Sequence, residues 1–342
     1  MGRLKFGIIG CGLISNWHAD AILRIADAEL VAATDVSEKS RKAFSEKYNV
    51  KVYDTVEELL ADNVDVVSIC TPSGLHAPLA IQAINAGKHV IIEKPMAITL
   101  EQADEIIEAA EKNDVKVSVI SQLRFSNAVQ RVKRAINENL LGKLVSGDVY
   151  MKFYRSQEYY DQSGWRGTWK MDGGGALMNQ GIHGIDLLCY LMGPVKYVHG
   201  FTRTLVRNIE VEDTASAILE YENGALGVIQ GTTSIYPGLP RRIEISGDKG
   251  TVILEEDKIV KWCIEGQETP ADLVSESSTT RSFSDPAAFG IEGHLLQISD
   301  MVDAIKSNRR PMVDQYEGRK PVELILAIYE SSRTGKTVKL GK

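Results

Sequence analysis

Over its first 120 or so residues the chain alternates short apolar runs with amphipathic stretches, and this alternation constrains the fold more than any other feature. The runs lie at 4–9, 29–34, 64–70, 89–92 and 116–120. A strand that is apolar on both faces must be covered on both faces, which is the condition of a parallel sheet with helices above and below. Stretches near 38–48, 56–60, 77–86 and 99–112 supply the helices, and Thr99 and Gln102 read as N-cap and capping-box partner.

The pattern changes after Ser121. A helix near 128–137 precedes a long alternating strand at 144–154 and an aromatic, polar loop at 155–172. Gly173, Gly174 and Gly175 then open a helix through Leu191. Alternating runs at 195–205, 214–221, 225–233, 242–246, 251–255 and 259–263 are separated by turns such as Glu222-Asn223-Gly224 and Gly247-Asp248-Lys249-Gly250. Hairpin turns between alternating runs predict an antiparallel sheet. A polar loop over 271–285 and helices at 289–306 and 317–332 complete the chain.

The segment Gly7-Ile8-Ile9-Gly10-Cys11-Gly12-Leu13-Ile14-Ser15 ends the first strand and opens the first helix. Gly10 permits the tight turn, and Gly12 lets a pyrophosphate approach the backbone. Leu13 and Ile14 begin the helix whose free N–H groups face the anion. Ser15 stands where the fingerprint has its third glycine. Asp35, at the end of the second strand, has the position of an acid that binds the adenosine ribose, though it also suits a turn or N-cap. An acid there repels a 2′-phosphate, so NAD is expected ahead of NADP. Lys39 and Arg41 nearby temper that preference. The expected fold class is therefore α/β. A Rossmann domain with a doubly wound parallel sheet spans 1–123, and an α/β domain with a large, mainly antiparallel sheet spans 124–342.

Further segments carry a resemblance. Ile91-Ile92-Glu93-Lys94-Pro95, Cys70-Thr71-Pro72-Ser73-Gly74-Leu75-His76 and Gly173-Gly174-Gly175 followed by Asn179-Gln180-Gly181-Ile182-His183 resemble, in order, motifs of the Gfo/Idh/MocA oxidoreductases. The resemblance implies NAD(P)-dependent oxidation of a sugar or cyclitol hydroxyl, without a metal. Within the aromatic loop, Tyr159-Tyr160 and Gly164-Trp165-Arg166-Gly167-Thr168-Trp169 are similar to the branch acting on sugar-nucleotide uronates such as UDP-N-acetylglucosaminuronate.

Alcohol oxidation needs a base and groups that fix the carbinol against the nicotinamide. His183 is the expected base, since an imidazole pKa of about 6.5 suits neutral pH, although a helix-start histidine can simply bond a carbonyl. Lys94, at the end of a buried strand, is expected to stabilise negative charge on the reacting oxygen. Asn179, four residues before His183, is expected to share its helix face and bind a hydroxyl, where many relatives carry Asp. By resemblance Thr71, Pro72, Ser73 and His76 are cofactor-binding residues. Lys94 and Glu93 are expected at the cofactor too, Glu93 on a ribose hydroxyl or else paired with a cation. Trp165 and Arg166 either meet the nicotinamide end or the substrate, or pack the loop on the second sheet. Arg124, Arg155 and Tyr160 are candidates for an anionic, hydroxyl-rich substrate. Asp186 either orients His183 or makes a structural ion pair.

The four cysteines, Cys11, Cys70, Cys189 and Cys263, have no paired or zinc-like spacing, which suggests reduced thiols and no metal. A formal net charge of -7 argues against nucleic acid as partner. No apolar stretch has the length of a signal peptide or a bilayer span, so a cytoplasmic protein is expected. The broad antiparallel sheet invites face-to-face pairing, so a homodimer or homotetramer is expected, with a small carbohydrate substrate. Two alternatives stand beside the dehydrogenase: an enzyme that keeps its NAD and catalyses a redox-neutral epimerisation or glycoside cleavage, and a dinucleotide-bound regulator without chemistry.

Overall fold

The computed structural model describes residues 2–256, 258–270 and 291–341, so the expected loop at 271–285 lies outside the described residues. The chain forms two compact units. The first comprises Met1–Gln122 and Gly290–Val322, the second Leu123–Phe289 and Glu323–Lys342.

In the first unit, β1 (Leu4–Ile9), β2 (Ala28–Thr34), β3 (Lys51–Tyr53), β4 (Val66–Ile69), β5 (His89–Ile92) and β6 (Val117–Val119) form one sheet in the order β3-β2-β1-β4-β5-β6. Every pairing is parallel. That order reverses between β1 and β4, and ligands of doubly wound sheets bind outside the strand ends at such a reversal. Helices α1 (Leu13–Ile22), α2 (Glu38–Tyr48), α3 (Val56–Ala61), α4 (His76–Asn85) and α5 (Leu100–Asn113) connect the strands. Their starts are chemically marked. Thr99 Oγ1 accepts the Gln102 N–H at 3.2 Å, as expected, but the Gln102 side chain reaches past the N-cap to the Ile98 N–H. Thr55 and Glu58 make a complete capping box on α3. The three-residue strand β3 was not expected, because Lys51-Val52-Tyr53 is too short to show a period.

In the second unit, α6 (Asn127–Asn137), β7 (Leu144–Lys152), α7 (Gln157–Asp161) and α8 (Ile182–Met192) precede β8 (Val195–Arg203), β9 (Thr214–Tyr221), β10 (Leu226–Thr232), β11 (Arg242–Gly247), β12 (Gly250–Glu255) and β13 (Lys258–Ile264). With β14 (Val338–Lys339) they build an eight-stranded sheet, β13-β12-β11-β7-β10-β9-β8-β14. Its pairings are antiparallel except that of β7 with β10.

The chain crosses from the first unit to the second between Gln122 and Leu123 and returns to the first over Gly290–Val322. The helix α9 (Glu292–Lys306) belongs to the first unit. Its Ile298, Met301 and Val302 are buried in one apolar cluster with Phe6, Ile8 and Ile22. Gln297 adds buried polar ties: its Oε1 accepts the Ser121 N–H at 2.9 Å, and its Nε2 donates to Val119 O at 2.7 Å. The last helix, α10 (Gln315–Thr334), belongs to the first unit up to Val322 and to the second from Glu323. No helix among the described residues is long and apolar enough to cross a membrane.

Candidate active site

The glycine turn of the first unit has the conformation its sequence requires. Gly10 has φ +95, and a Cβ there would lie 2.8 Å from Cys70 O. The β1 and β4 loops therefore touch at the reversal of strand order, and only glycine allows it. Gly12 differs, because a Cβ there would meet nothing within 4 Å. Helix α1 starts directly after it with no side-chain cap, and Leu13 is 68% exposed. Open space before an uncapped helix N-terminus fits a pyrophosphate. Asp35 Oδ2 accepts the Cys11 N–H at 2.7 Å and its Oδ1 accepts the Ser37 N–H at 2.8 Å. The carboxylate is thus held against the glycine turn, performing the turn-forming role. Arg41 is committed to Asp35 O and Asp54, each at 2.6 Å, whereas Lys39 is exposed.

The loop after β4 carries Thr71, Pro72 and Ser73. Thr71 Oγ1 is buried without a hydrogen-bond partner, an unmet valence that a cofactor hydroxyl or amide would satisfy. His76 turns inward and is 1% exposed. Its Nδ1 lies 2.7 Å from Pro95 O and its Nε2 2.8 Å from Thr71 O. The ring therefore ties this loop to the Lys94–Pro95 turn, whose peptide bond is cis. Burial outweighs the pull of the two carbonyls and of Glu93, keeping the His76 pKa below the ordinary histidine value. Glu93 is also drawn inward, 5% exposed, with Oε1 3.0 Å from His18 Nε2. Lys94 beside it is half-buried.

In the second unit Asn179 and His183 are not related by an α-helical turn. Ala176–Gly181 winds as a π-helix and α8 begins at Ile182, so the four-residue spacing predicting a shared face is corrected. The wider turn follows from Gly175, where a Cβ would fall on Glu212 O, and from Glu212 itself. Its carboxylate accepts the Gly175 N–H at 2.9 Å, the Leu177 N–H at 2.8 Å and the Tyr329 hydroxyl at 2.9 Å. Burial outweighs these donors and raises its pKa to about 7. Asn179 Nδ2 donates to Asp172 Oδ1 at 2.6 Å, and Asn179 Oδ1 accepts from Gln180 Nε2 at 3.1 Å. Gln180 bonds the Tyr159 hydroxyl at 2.9 Å and accepts from Arg155 Nη2 at 2.8 Å. Asn179 thus joins a polar chain that includes a buried carboxylate, Asp172.

The aromatic loop contains the short helix α7, and only some of its expected substrate residues face that chain. The Arg166 guanidinium sits 4.3 Å from the Tyr159 ring centre and 5.5 Å from that of Trp165. Tyr160 is buried, its hydroxyl donates to Thr233 Oγ1 at 2.9 Å, and burial pushes its pKa up to about 12. Tyr160 therefore packs the loop, and its neighbour Tyr159 takes the expected polar place. Arg124 is corrected more strongly. It is 1% exposed and grips Asp186 with Nε and Nη2 at 2.9 and 2.6 Å, which also makes Asp186 a structural partner. His18, Asp172, Glu212 and His294 escaped sequence reasoning because no local spacing links them to the side chains they touch, and Tyr159 and Gln180 were visible only as members of motifs, not as site residues.

Residues 4–121 match the oxidoreductase family with an NAD-binding Rossmann fold, and 129–253 match the GFO/IDH/MocA C-terminal domain. The chain is similar to the WlbA dehydrogenase of Bordetella pertussis, solved with NADH and UDP-GlcNAcA, at 36% identity and TM-score 0.89 over 99% of both chains. It is 29% identical to myo-inositol 2-dehydrogenase of Thermotoga maritima over 98% of each protein. It is 27% identical to D-glucoside 3-dehydrogenase of Escherichia coli, covering 98% of this chain and 97% of that one.

Proposed function

Because the chain belongs to the Gfo/Idh/MocA family of NAD-binding oxidoreductases, we propose that its dehydrogenase activity is directed at a hydroxyl of an acidic nucleotide sugar. The coarser activity, NAD-dependent removal of hydride from a carbohydrate or cyclitol hydroxyl, is that of its relatives. The observation carrying the narrower reading is the chain Arg155–Gln180–Asn179 with Tyr159 and Arg166 beside it. Guanidinium groups suit a carboxylate or phosphate, and aromatic faces suit sugar C–H surfaces. The likeness to a structure holding UDP-GlcNAcA supports the same substrate class.

Bound NAD would accept the hydride. Gly12 and the start of α1 would hold its pyrophosphate, Asp35 its ribose, and Thr71 to Ser73 its nicotinamide half. Asp35 favours NAD over NADP, with Arg41 already committed elsewhere. His183 serves as general base for a hydroxyl proton, and the Lys94 ammonium stabilises developing negative charge. Asn179 orients the substrate, its amide held by Asp172 and Gln180. Measuring kcat/KM for UDP-N-acetylglucosaminuronate beside neutral hexoses and inositols tests the substrate class. Preference for the acidic nucleotide sugar is expected, and neutral substrates winning by a wide margin would overturn it.

We further propose pairing of two copies through the second unit's sheet. Phe201, Ile218 and Leu226, on adjacent strands β8, β9 and β10, are 56%, 62% and 62% exposed on one face. Light scattering on the purified protein should give at least twice the 37.7 kDa chain mass. Ile218→Glu should shift that value toward the monomer.

A further inference from the structure

Three buried ionisable side chains from separate elements of the first unit converge beside Lys94. His18 of α1, Glu93 just after β5 and His294 of α9 are 0%, 5% and 1% exposed. His18 Nε2 lies 3.0 Å and His294 Nε2 3.4 Å from the same carboxylate oxygen, Glu93 Oε1. The other oxygen, Oε2, accepts the Lys94 backbone N–H at 3.2 Å. On the far side of that turn His76 Nδ1 holds Pro95 O at 2.7 Å. Buried side chains thus grip the Lys94–Pro95 segment at both its N–H and its C=O.

Two histidines and a carboxylate also suggest a metal centre, and their spacing would admit one. The ring nitrogens point the other way. Nδ1 of His18 and Nδ1 of His294 are both buried without a hydrogen-bond partner. A metal on Nε2 would place each ring proton on Nδ1, leaving two buried donors unmet where metal-bound histidines normally have a second partner. With the proton on Nε2, each ring donates to Glu93 and only a bare acceptor is left behind. Burial lowers the His18 pKa, consistent with a neutral ring. Burial opposes charge on Glu93, but hydrogen bonds from the two imidazoles hold its pKa well below the usual carboxylate range.

We propose that His18, Glu93 and His294 are positioning residues for Lys94: two neutral Nε2–H imidazoles orient one ionised carboxylate, which fixes the backbone from which the Lys94 side chain departs. The inference rests on the role given to Lys94 above. An ammonium on a flexible four-carbon stem reaches one point reliably only if its backbone is immobile. The network provides that immobility from behind, without touching substrate, and α9 is recruited from the far end of the chain to complete it.

The test compares leucine and glutamine at both histidines, with Lys94→Ala as reference, using the substrate selected by the screen above. Glutamine retains a donor near the Nε2 position, and leucine does not. His18→Leu and His294→Leu should lower kcat by about 10- to 100-fold, the usual cost of losing an orienting partner, with KM for NAD little changed. The glutamine variants should recover most of that loss. Nitrogen-15 NMR of the wild-type imidazoles should show both rings as neutral Nε2–H tautomers, assigned by the glutamine variants. Leucine variants with normal kcat beside an inactive Lys94→Ala would overturn the positioning role alone. A fully active Lys94→Ala would instead overturn the role of Lys94 and the inference built on it. An Nδ1–H tautomer would show that the rings do not donate to Glu93, and one divalent ion per chain lost in His18→Leu would show a metal centre; either result would overturn the proposal.

Discussion

At the residue scale, one side chain that ties the fold is also the one proposed to hold the ribose. Asp35 ties the glycine turn through Cys11 N and would meet the ribose from the same end of β2. Calorimetry should show NAD binding more tightly than NADP, and Asp35→Ser should narrow the gap; tighter NADP binding by the wild type would sink the assignment. His183→Ala and Lys94→Ala should each cut kcat by roughly 10²- to 10⁴-fold, the range for lost acid–base assistance, with NAD affinity nearly unchanged for His183→Ala. Turnover near normal in His183→Ala would place the base elsewhere. Glu212 gives a prediction in pH. Its folded pKa of about 7 exceeds the ordinary value of 4.5, so between those values the folded state keeps a proton that the unfolded state releases. Stability should therefore fall as pH rises from 4.5 to about 7, by up to about 3 kcal/mol, and level off above that. Denaturant midpoints across this range should show the slope in the wild type and lose it in Glu212→Gln.

At the element scale, the π-helical turn shows what glycines can and cannot reveal. Gly173 to Gly175 are visible as a breaker before a helix, and both breaker and helix are present. The helix type was hidden, because it depends on Glu212, whose side chain takes the Gly175 and Leu177 N–H groups. Gly175→Ala should destabilise by about 1–3 kcal/mol, the usual cost of overpacking, since its Cβ would fall on Glu212 O. Gly12→Ala makes the contrast. Its Cβ would enter open space, so thermal stability without ligand should hold while NAD affinity falls. A Gly12→Ala protein that binds NAD normally would place the pyrophosphate away from this turn.

For the molecule as a whole, α9 decides what the first unit is. Its apolar face closes the cluster around Phe6, Ile8 and Ile22, and Gln297 satisfies the backbone near β6. A fragment of residues 1–122 should therefore expose apolar surface and bind the dye ANS without a cooperative thermal transition. Adding 290–322 through a flexible linker should restore that transition. Cooperative melting of the shorter fragment would show that the returning segment is dispensable.

The sequence by itself determined the parallel sheet, the glycine turn, the acid at the end of β2 and the Glu-Lys-Pro and His183 motifs. Each is written in local spacing, either a period of two or 3.6 or a short run of special residues. Only tertiary structure decided which polar side chains are spent inside. Arg124 and Tyr160 resembled substrate contacts but are buried with Asp186 and Thr233. Burial and long-range pairing leave no periodic trace. For the same reason no spacing revealed that His18 and His294, 276 residues apart, share one carboxylate oxygen of Glu93.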